Sequence, residues 1–341
     1  MEKLLSICIP TYNMEGLLTR CLDSFIVEKD YMEKLEVIIV NDGSKDNSSK
    51  IAHKYAERYP NTYIVIDKSN GNYGSCINAA LKIASGKYFR ICDADDRYEN
   101  ANMVEYLRIL KNTSSDIVFS PFIILNYDST VNKSMESYLI DNGRAVEISS
   151  IDWTATVTSR YRAMHSMAVK PELLRNNNYH QTEGISYTDT QFVFYSILYS
   201  NTCSFFNKAI YYYYLGRDGQ TMSTSSMIKS NMHFYKNAEV MLQSYCCLPA
   251  GTPSNKAQLL YECINTQMTY FVGISIGNIA ESHEQQKLID QIVAASRKSM
   301  VDCPLQESLL KNSHYKMWKK YHIPPRLIYR LVKLRNSITR N

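Results

Sequence analysis

The chain has 341 residues, of which 45% are hydrophobic, and its formal net charge is +5. This length and composition exclude general disorder and fit one large α/β domain with an appended part. The nine cysteines form no CxxC pair, and no apolar run reaches the roughly 20 residues that span a bilayer. We therefore expect a cytoplasmic protein in a reducing compartment, without a zinc site or a spanning helix.

Predicted strands and helices alternate through the first 124 residues. Short apolar runs that end at turn residues predict strands at 4–10, 35–40, 62–67, 87–92 and 116–124. Apolar positions at helical spacing predict helices at 15–28, 46–58, 74–84 and 100–110. Repeated alternation of this kind indicates a parallel sheet with helices on both faces.

The pattern changes further along the chain. Residues 125–225 are mixed, with helices predicted at 151–159 and 188–199 and a strand at 208–215. After about residue 230 the sequence predicts almost only helices. We therefore divide the chain into an α/β domain, 1–228, and a mainly helical C-terminal region, 229–341.

Polar clusters follow three of the predicted strands. They are Pro10-Thr11-Tyr12-Asn13, Asn41-Asp42-Gly43-Ser44 and Asp93-Ala94-Asp95-Asp96. Because ligands of a parallel α/β sheet bind beyond the carboxyl ends of its strands, we expect the three clusters to face one crevice. Asp93 and Asp95 project to the same side of an extended chain, and their repulsion favours a hard divalent cation, Mn²⁺ or Mg²⁺. The same residues can instead form an acidic turn that caps the helix beginning near Asn100.

Two neighbouring features also have a structural alternative. Asp42 can accept a hydrogen bond from a nucleobase N–H, or it can simply belong to an Asp-Gly-Ser turn. Gly71 and Gly74 flank Tyr73 before a helix, where small residues permit the close approach of a ligand. This segment is neither GxGxxG nor a Walker phosphate loop, which argues against a dinucleotide fold and a phosphate-loop ATPase.

Four segments together resemble family 2 glycosyltransferases of the GT-A fold, the type that builds bacterial polysaccharides or cell-surface glycans. They are SICIPTYN, VIIVNDGSKDNS, SGKYFRICDADD and EGISYTDTQF, in the family's order and spacing over roughly residues 4–225. The resemblance implies a Rossmann-like, mostly parallel sheet in a catalytic domain, 1–228. It also implies metal-assisted, inverting transfer from a nucleotide-sugar, usually a UDP-sugar, to a glycan or lipid-linked acceptor.

The resemblance also implies roles for individual residues. The implied contacts with the nucleotide-sugar are Pro10, Thr11 and Tyr12 at the nucleoside, Asp42 at the base, and Gly74, Asn78, Asp93 and Arg217 further along the donor. The implied ligands of Mn²⁺ or Mg²⁺ are Asp95 and Asp93, and the implied catalytic base is Asp189. Arg217, which would close over the diphosphate, can equally be a solvent-exposed loop arginine.

The sequence departs from the family pattern in two places. The usual Glu-Asp pair reads Thr188-Asp189, so Glu183 is the reserve candidate for the base, and Asp189 can also be a helix N-cap. Ile77 stands where many members have an arginine, so a phosphate contact expected from that arginine must come from elsewhere or be absent.

Other functions and side chains stay open at this point. The same scaffold without catalysis would be a nucleotide- or glycan-binding protein. A nucleotidyltransferase would want a basic, Gly-rich phosphate loop, which PTYNMEG lacks. His165 and His180 can supply a third metal ligand, bind the acceptor or be ordinary structural histidines. We expect no nucleic-acid partner, and the pattern does not indicate an oligomeric state.

The C-terminal tail carries the positive charge of the chain. Nine Lys or Arg and no acidic residue lie between Lys311 and Asn341. Within residues 314–335, the stretch after Pro325 predicts a short basic amphipathic helix, and Trp318 and Tyr321 precede it. This segment suits an anionic membrane surface at the inner face of the cell membrane. The alternative is a helix that packs on the protein body and leaves its charges in solvent.

Overall fold

The structure is a computed structural model, which describes residues 2–128, 130–134, 143–153, 163–217, 220–221, 223–279 and 282–338. The chain forms two compact units, Met1–Asp218 and Gly219–Asn341. The first unit contains all the strands of the described ranges, and the second is helical. The predicted domain boundary after residue 228 falls in the first helix of the second unit, Thr224–Lys229. As a boundary between independently stable domains it stays a prediction.

The first unit alternates strands and helices. Its strands are β1 Leu5–Thr11, β2 Leu35–Asn41, β3 Tyr63–Asp67, β4 Tyr88–Ile91, β5 Arg97–Tyr98, β6 Ile117–Phe119, β7 Phe122–Asn126, β8 Val131–Ser134, β9 Val146–Glu147, β10 Met167–Val169, β11 Thr202–Phe205 and β12 Tyr211–Leu215. Its helices are α1 Leu18–Asp23, α2 Lys29–Met32, α3 Ser48–Arg58, α4 Asn72–Ile83, α5 Asn100–Asn112, α6 Pro171–Asn176 and α7 Asp189–Tyr199. Single 3₁₀ turns lie at Ile148–Ser150 and Met164–Ser166.

Eight strands form the large sheet, in the order β3-β2-β1-β4-β10-β6-β11-β9. The first four run parallel, and β2 is buried along its whole length, as the continuous apolar runs of the sequence require. The predicted α/β architecture is confirmed. The second half of the sheet is mixed, because β10 pairs antiparallel with both β4 and β6.

A smaller sheet has the order β5-β12-β7-β8. The single strand predicted at 116–124 is in fact β6 and β7, which belong to different sheets. The chain turns between them at Pro121, which has no N–H to donate to a ladder. The helix predicted at 15–28 is shorter in the structure, where α1 covers only Leu18–Asp23 and α2 begins beyond the predicted end, at Lys29. Of the helix predicted at 151–159, residues 154–159 lie outside the described residues.

The register of the parallel strands brings the three polar clusters to one edge. Thr11 at the end of β1 pairs with Asn41 at the end of β2, and Cys8 pairs with Ile91 at the end of β4. The Asp42 N–H donates to the Thr11 carbonyl at 2.8 Å. The residues that follow β1, β2 and β4 therefore share the carboxyl edge, where ligands of such sheets bind.

The second unit is built around one long helix. Its helices are α8 Thr224–Lys229, α9 Asn231–Cys246, α10 Ser254–Gly277, α11 His283–Ser296, α12 Leu305–Leu309, α13 Ser313–Lys319 and α14 Pro325–Ile338. α10 contacts α9, α11, α12, α13 and α14. Within the described ranges, no helix combines the length and the apolarity that crossing a bilayer requires.

Candidate functional site

Three carboxylates converge on the turn after β4. Asp93, Asp95 and Asp96 each present an oxygen, and these oxygens lie within 4.8 Å of one another. Burial and the neighbouring Asp95 charge raise the pKa of Asp93 to about 7. Carboxylates held this close resist ionisation together unless a cation compensates them. Their oxygen atoms are the ligands that Mg²⁺ and Mn²⁺ prefer, so the donor set fits a divalent cation.

The three carboxylates are not equivalent, because Asp96 is fully buried and serves the fold. One of its oxygens accepts from the Tyr211 hydroxyl at 2.6 Å, and the other accepts from the Tyr214 N–H at 2.8 Å. The Tyr211 hydroxyl in turn accepts from the Asp93 N–H at 3.1 Å. Asp96 thus ties the acidic turn to β12, while Asp93 and Asp95 stay half-buried at its rim. The metal-ligand roles of Asp93 and Asp95 stay predictions.

Two arginines contact Asp95. Arg217, two residues after β12, donates from Nη2 to the Asp95 Oδ2 at 3.0 Å, and the two side chains are 24% and 16% exposed. Arg20 donates to the Asp95 backbone carbonyl at 2.5 Å and lies 3.9 Å above the Tyr214 ring. Arg217 is therefore not a solvent-exposed loop arginine, and positive charge already compensates Asp95.

Tyr73, at the start of α4, connects the acidic turn with the predicted base. Its hydroxyl donates to the Asp93 Oδ1 at 2.7 Å. Burial and the charges of Asp93 and Asp189 raise the pKa of Tyr73 well above its usual value, so the phenol keeps its proton. The charge of Asp189 also contributes to the raised pKa of Asp93. Asp189 therefore lies within electrostatic reach of the acidic turn, and Tyr73 is a site residue that the sequence pattern alone did not assign.

Asp189 is the first residue of α7, and the N-cap is Thr188. Burial raises the pKa of the Asp189 carboxyl, although its position at a helix N-terminus favours the anion. Thr188 is fully buried, and its hydroxyl accepts from the Gln181 amide at 2.8 Å. A Thr–Gln pair therefore fills the position where the family usually has a glutamate. Asp189 as the catalytic base stays a prediction.

Asn78 and Gly74 on α4 hold the loop before Asp189. The Asn78 amide donates to the Gln181 carbonyl and to Glu183, both at 2.9 Å, and its oxygen accepts the Gln181 N–H at 2.9 Å. A Cβ on Gly74 would lie 2.1 Å from the Thr182 carbonyl oxygen. Packing of the protein's own loop therefore explains both residue types, and their contacts with the nucleotide-sugar stay predictions.

Among the described residues, the cluster that could hold a metal ion consists of the three aspartates. It includes neither His165 nor His180, the two histidines considered as a third ligand. The His165 ring lies edge-on to Phe122, with centroids 4.0 Å apart, and stacks on Tyr213 at 4.9 Å. Burial lowers the pKa of His165 to about 3, so the imidazole is neutral. The His180 side chain is 68% exposed and lies 3.5 Å from Glu183. These placements favour structural and surface roles for the two histidines.

The residues predicted to bind the nucleoside lie where β1 and β2 end. Tyr12 is 46% exposed, whereas Thr11 is buried and its hydroxyl donates to the Ile9 carbonyl. Pro10 is half-buried. Asp42 is only 3% exposed and accepts from the Lys68 ammonium at 2.6 Å. Tyr12 is thus exposed at this edge and Asp42 is buried beside Lys68, and the contacts of these four residues with a nucleoside stay predictions.

Comparison with known proteins identifies the family. The family model described as Glycosyl transferase family 2 matches residues 6–197, more than half of the chain. The poly(ribitol-phosphate) beta-glucosyltransferase of Bacillus spizizenii is 30% identical over 232 residues, which are 67% of this chain and 35% of that protein. An uncharacterized glycosyltransferase of Mycoplasma pneumoniae is 36% identical over 121 residues, 35% of this chain and 39% of that protein. The chain thus spans little more than a third of the length of these curated relatives.

Solved structures show the same fold. S. aureus TarS 1-349 in complex with UDP-GlcNAc superposes with a TM-score of 0.68 at 21% identity, covering 93% of this chain and 92% of that one. Mannosyltransferase PcManGT from Pyrobaculum calidifontis, in complex with GDP-Man and Mn²⁺, gives a TM-score of 0.51 at 14% identity, and the match covers 100% of this chain and 89% of that one. The predicted GT-A fold is confirmed, and the match over residues 6–197 shows that the chain belongs to glycosyl transferase family 2.

Proposed function

We propose that this chain is an inverting glycosyltransferase, which moves a sugar from a UDP-sugar to a glycan or lipid-linked acceptor with the help of Mn²⁺ or Mg²⁺. The proposal rests on one observation, a cluster of three carboxylates within 4.8 Å of one another in a chain of this family, and the charge of Asp189 acts on this cluster. The likeness to TarS, which was solved with UDP-GlcNAc, supports a UDP-sugar as donor. The buried Asp42 supports recognition of a base N–H.

The side chains suit a single displacement at the anomeric carbon. Asp189 accepts the proton of the acceptor hydroxyl while that oxygen forms the new bond to the sugar. The bond to the diphosphate breaks, and UDP leaves with its electron pair. Burial makes the Asp189 carboxylate a stronger base than an exposed aspartate. A bound divalent cation would offset the charge on the departing diphosphate, and Arg217 beside Asp95 contributes to the same compensation.

The function is tested by product analysis. The protein is incubated with several UDP-sugars, Mn²⁺ and candidate acceptors, including the poly(ribitol phosphate) that a relative's name indicates. Release of UDP that depends on Asp189 supports transfer. In a parallel incubation with UTP and a sugar 1-phosphate, release of pyrophosphate would instead indicate a nucleotidyltransferase. Binding of the UDP-sugar without release of UDP would indicate a binding protein.

We also propose that α14 rests reversibly on an anionic membrane surface at the inner face of the cell membrane. Ile328 is fully buried, whereas Leu327, Leu331 and Leu334 are 47%, 44% and 60% exposed. These leucines recur at helical spacing and form one outward face. The exposed basic residues beside them are Arg326, Arg330, Lys333 and Arg335. Each can contribute about 1 kcal/mol at most near an anionic bilayer, which suits reversible binding.

Point substitutions test the membrane proposal better than removal of the tail, because Tyr315 and Ile328 are buried. A variant with Leu327→Ser and Leu331→Ser should sediment less with anionic liposomes, and the wild type should be released by salt. Met300→Ser is the matched control, since Met300 is 69% exposed outside α14. Equal sedimentation of the double variant and the wild type would contradict the proposal.

A further inference from the structure

Lys68, just after β3, has no part in the proposed transfer, yet it lies beside the buried Asp42. Its ammonium donates to the Asp42 Oδ1 at 2.6 Å, to the Ser75 hydroxyl at 2.8 Å and to the Ser69 carbonyl at 2.7 Å. An ammonium has three hydrogens, and these three acceptors use all of them. Lys68 therefore acts on Asp42 rather than offering a free donor to a nucleotide.

The absence of a side chain at Gly71 leaves room for the Lys68 ammonium. Gly71 donates its N–H to the same Asp42 Oδ1 at 2.9 Å. A Cβ on Gly71 would lie 2.7 Å from the Ser75 hydroxyl oxygen and 3.1 Å from the Lys68 nitrogen. Asn70 adds a third restraint, because its amide donates to the Asp42 carbonyl at 2.9 Å. The segment 68–75 thus encloses the base-binding carboxylate on one side.

The two oxygens of Asp42 are consequently different. Oδ1 carries two strong donors, whereas no N–H or O–H group of the described residues bonds to Oδ2. The Cys76 thiol, which is only a weak donor, lies beside the carboxylate, and burial together with the Asp42 charge raises the pKa of that thiol to about 12. Asp42 thereby offers one acceptor oxygen, Oδ2, to a ligand.

We propose that Lys68 is a positioning residue which fixes Asp42 as a one-oxygen acceptor and so makes the pocket select a nucleobase with a ring N–H. Uracil presents such a group at N3, whereas the N3 of cytosine is itself an acceptor and faces the carboxylate unfavourably. The inference rests on the proposed binding of a UDP-sugar. It assigns the selection to the pair Lys68–Asp42, in which Lys68 never touches the base.

Calorimetric titration with UDP and with CDP, both with Mn²⁺, tests the inference. The variant Lys68→Met should weaken UDP binding about 10-fold or more and CDP binding much less, so the preference for UDP shrinks. Lys68→Arg, which keeps the positive charge, should restore part of the preference. Ser75→Ala, which removes one Lys68 contact but leaves the ion pair, should keep the wild-type preference and guards against a general folding defect.

A merely structural lysine gives a different result. In that case Lys68→Met would lower the melting temperature and weaken UDP and CDP by the same factor, which would overturn the inference. An unchanged UDP affinity in a folded Lys68→Met would overturn it as well. If the wild type itself shows no preference for UDP, the proposed donor is wrong, and this outcome is distinguishable because it appears before any substitution is made.

Discussion

The ion pair between Arg217 and Asp95 predicts that loss of the arginine tightens metal binding and weakens nucleotide binding. The guanidinium Nη2 lies 3.0 Å from the Asp95 Oδ2, an oxygen of the kind that a divalent cation takes as a ligand. We therefore expect a cation that binds in the acidic turn to compete with Arg217 for Asp95. The displaced guanidinium is then available for the diphosphate, so that one substitution, Arg217→Gln, should act in opposite directions on the two ligands.

The size of the effect follows from the geometry of this pair. Two unit charges 3.0 Å apart attract by about 5 kcal/mol at an effective dielectric constant of 20. Desolvation and the ordering of the side chains cancel most of that attraction. A net contribution of about 1–2 kcal/mol is reasonable for a half-buried, charge-assisted hydrogen bond. Mn²⁺ should therefore bind Arg217→Gln about 5- to 30-fold more tightly than the wild type.

Electron paramagnetic resonance of free Mn²⁺, recorded without nucleotide, measures the first effect. Calorimetry with UDP at saturating Mn²⁺ measures the second, for which we expect a loss of similar size. Arg217→Lys keeps the charge and should bind Mn²⁺ nearly as weakly as the wild type. If Arg217→Gln and the wild type have the same Mn²⁺ affinity, the arginine does not compete with the metal and the reasoning fails.

Three further predictions concern the carboxylates. Asp189→Asn should bind UDP and Mn²⁺ normally but transfer about 10²–10⁴-fold more slowly, whereas Glu183→Gln should stay near the wild-type rate; a normal rate for Asp189→Asn would place the base elsewhere. Asp95→Asn should keep the wild-type melting temperature and lose most activity. EDTA should abolish the activity of the wild type, and full activity in thoroughly chelated buffer would refute metal dependence. Folded Asp93 has a pKa of about 7 and an unfolded aspartate one of about 4, so the folded, metal-free protein binds more protons between these values and loses stability as the pH rises through them. Asp93→Asn should therefore gain in melting temperature over the wild type from pH 4 to pH 7, and a constant difference would contradict this assignment.

Periodicity and strand ends explain why much of the first unit could be predicted. β1, β2 and β4 are apolar runs that stop at polar residues, so Asp42 and Asp93 had to lie near the same sheet edge. The use of Asp96 by the fold was not predictable in this way. Its partner Tyr211 lies 115 residues away in the sequence, and only the pairing of β12 with β5 brings them together.

Two residues of α4 likewise have contacts that the sequence pattern could not predict. A glycine before a helix suggests room for a ligand, but the Thr182 carbonyl occupies the space that a Gly74 side chain would take. Asn78 suggests a donor contact, but its amide is engaged by Gln181 and Glu183. Both partners come from a loop about a hundred residues away, which a local pattern cannot reveal.

The buried position of Ile77 on α4 means that this position does not supply positive charge to the site. The family resemblance implies an arginine at the position of Ile77, and Ile77 is fully buried on α4. An arginine there would have to bury its charge, so a phosphate contact from this position does not fit the fold of this chain. Arg217 and Arg20 instead bring two guanidinium groups to Asp95, one to its side chain and one to its carbonyl. The loop after β12 and α1 therefore supply the positive charge at the acidic turn, and Arg217 is the one of the two that bonds to the carboxylate itself.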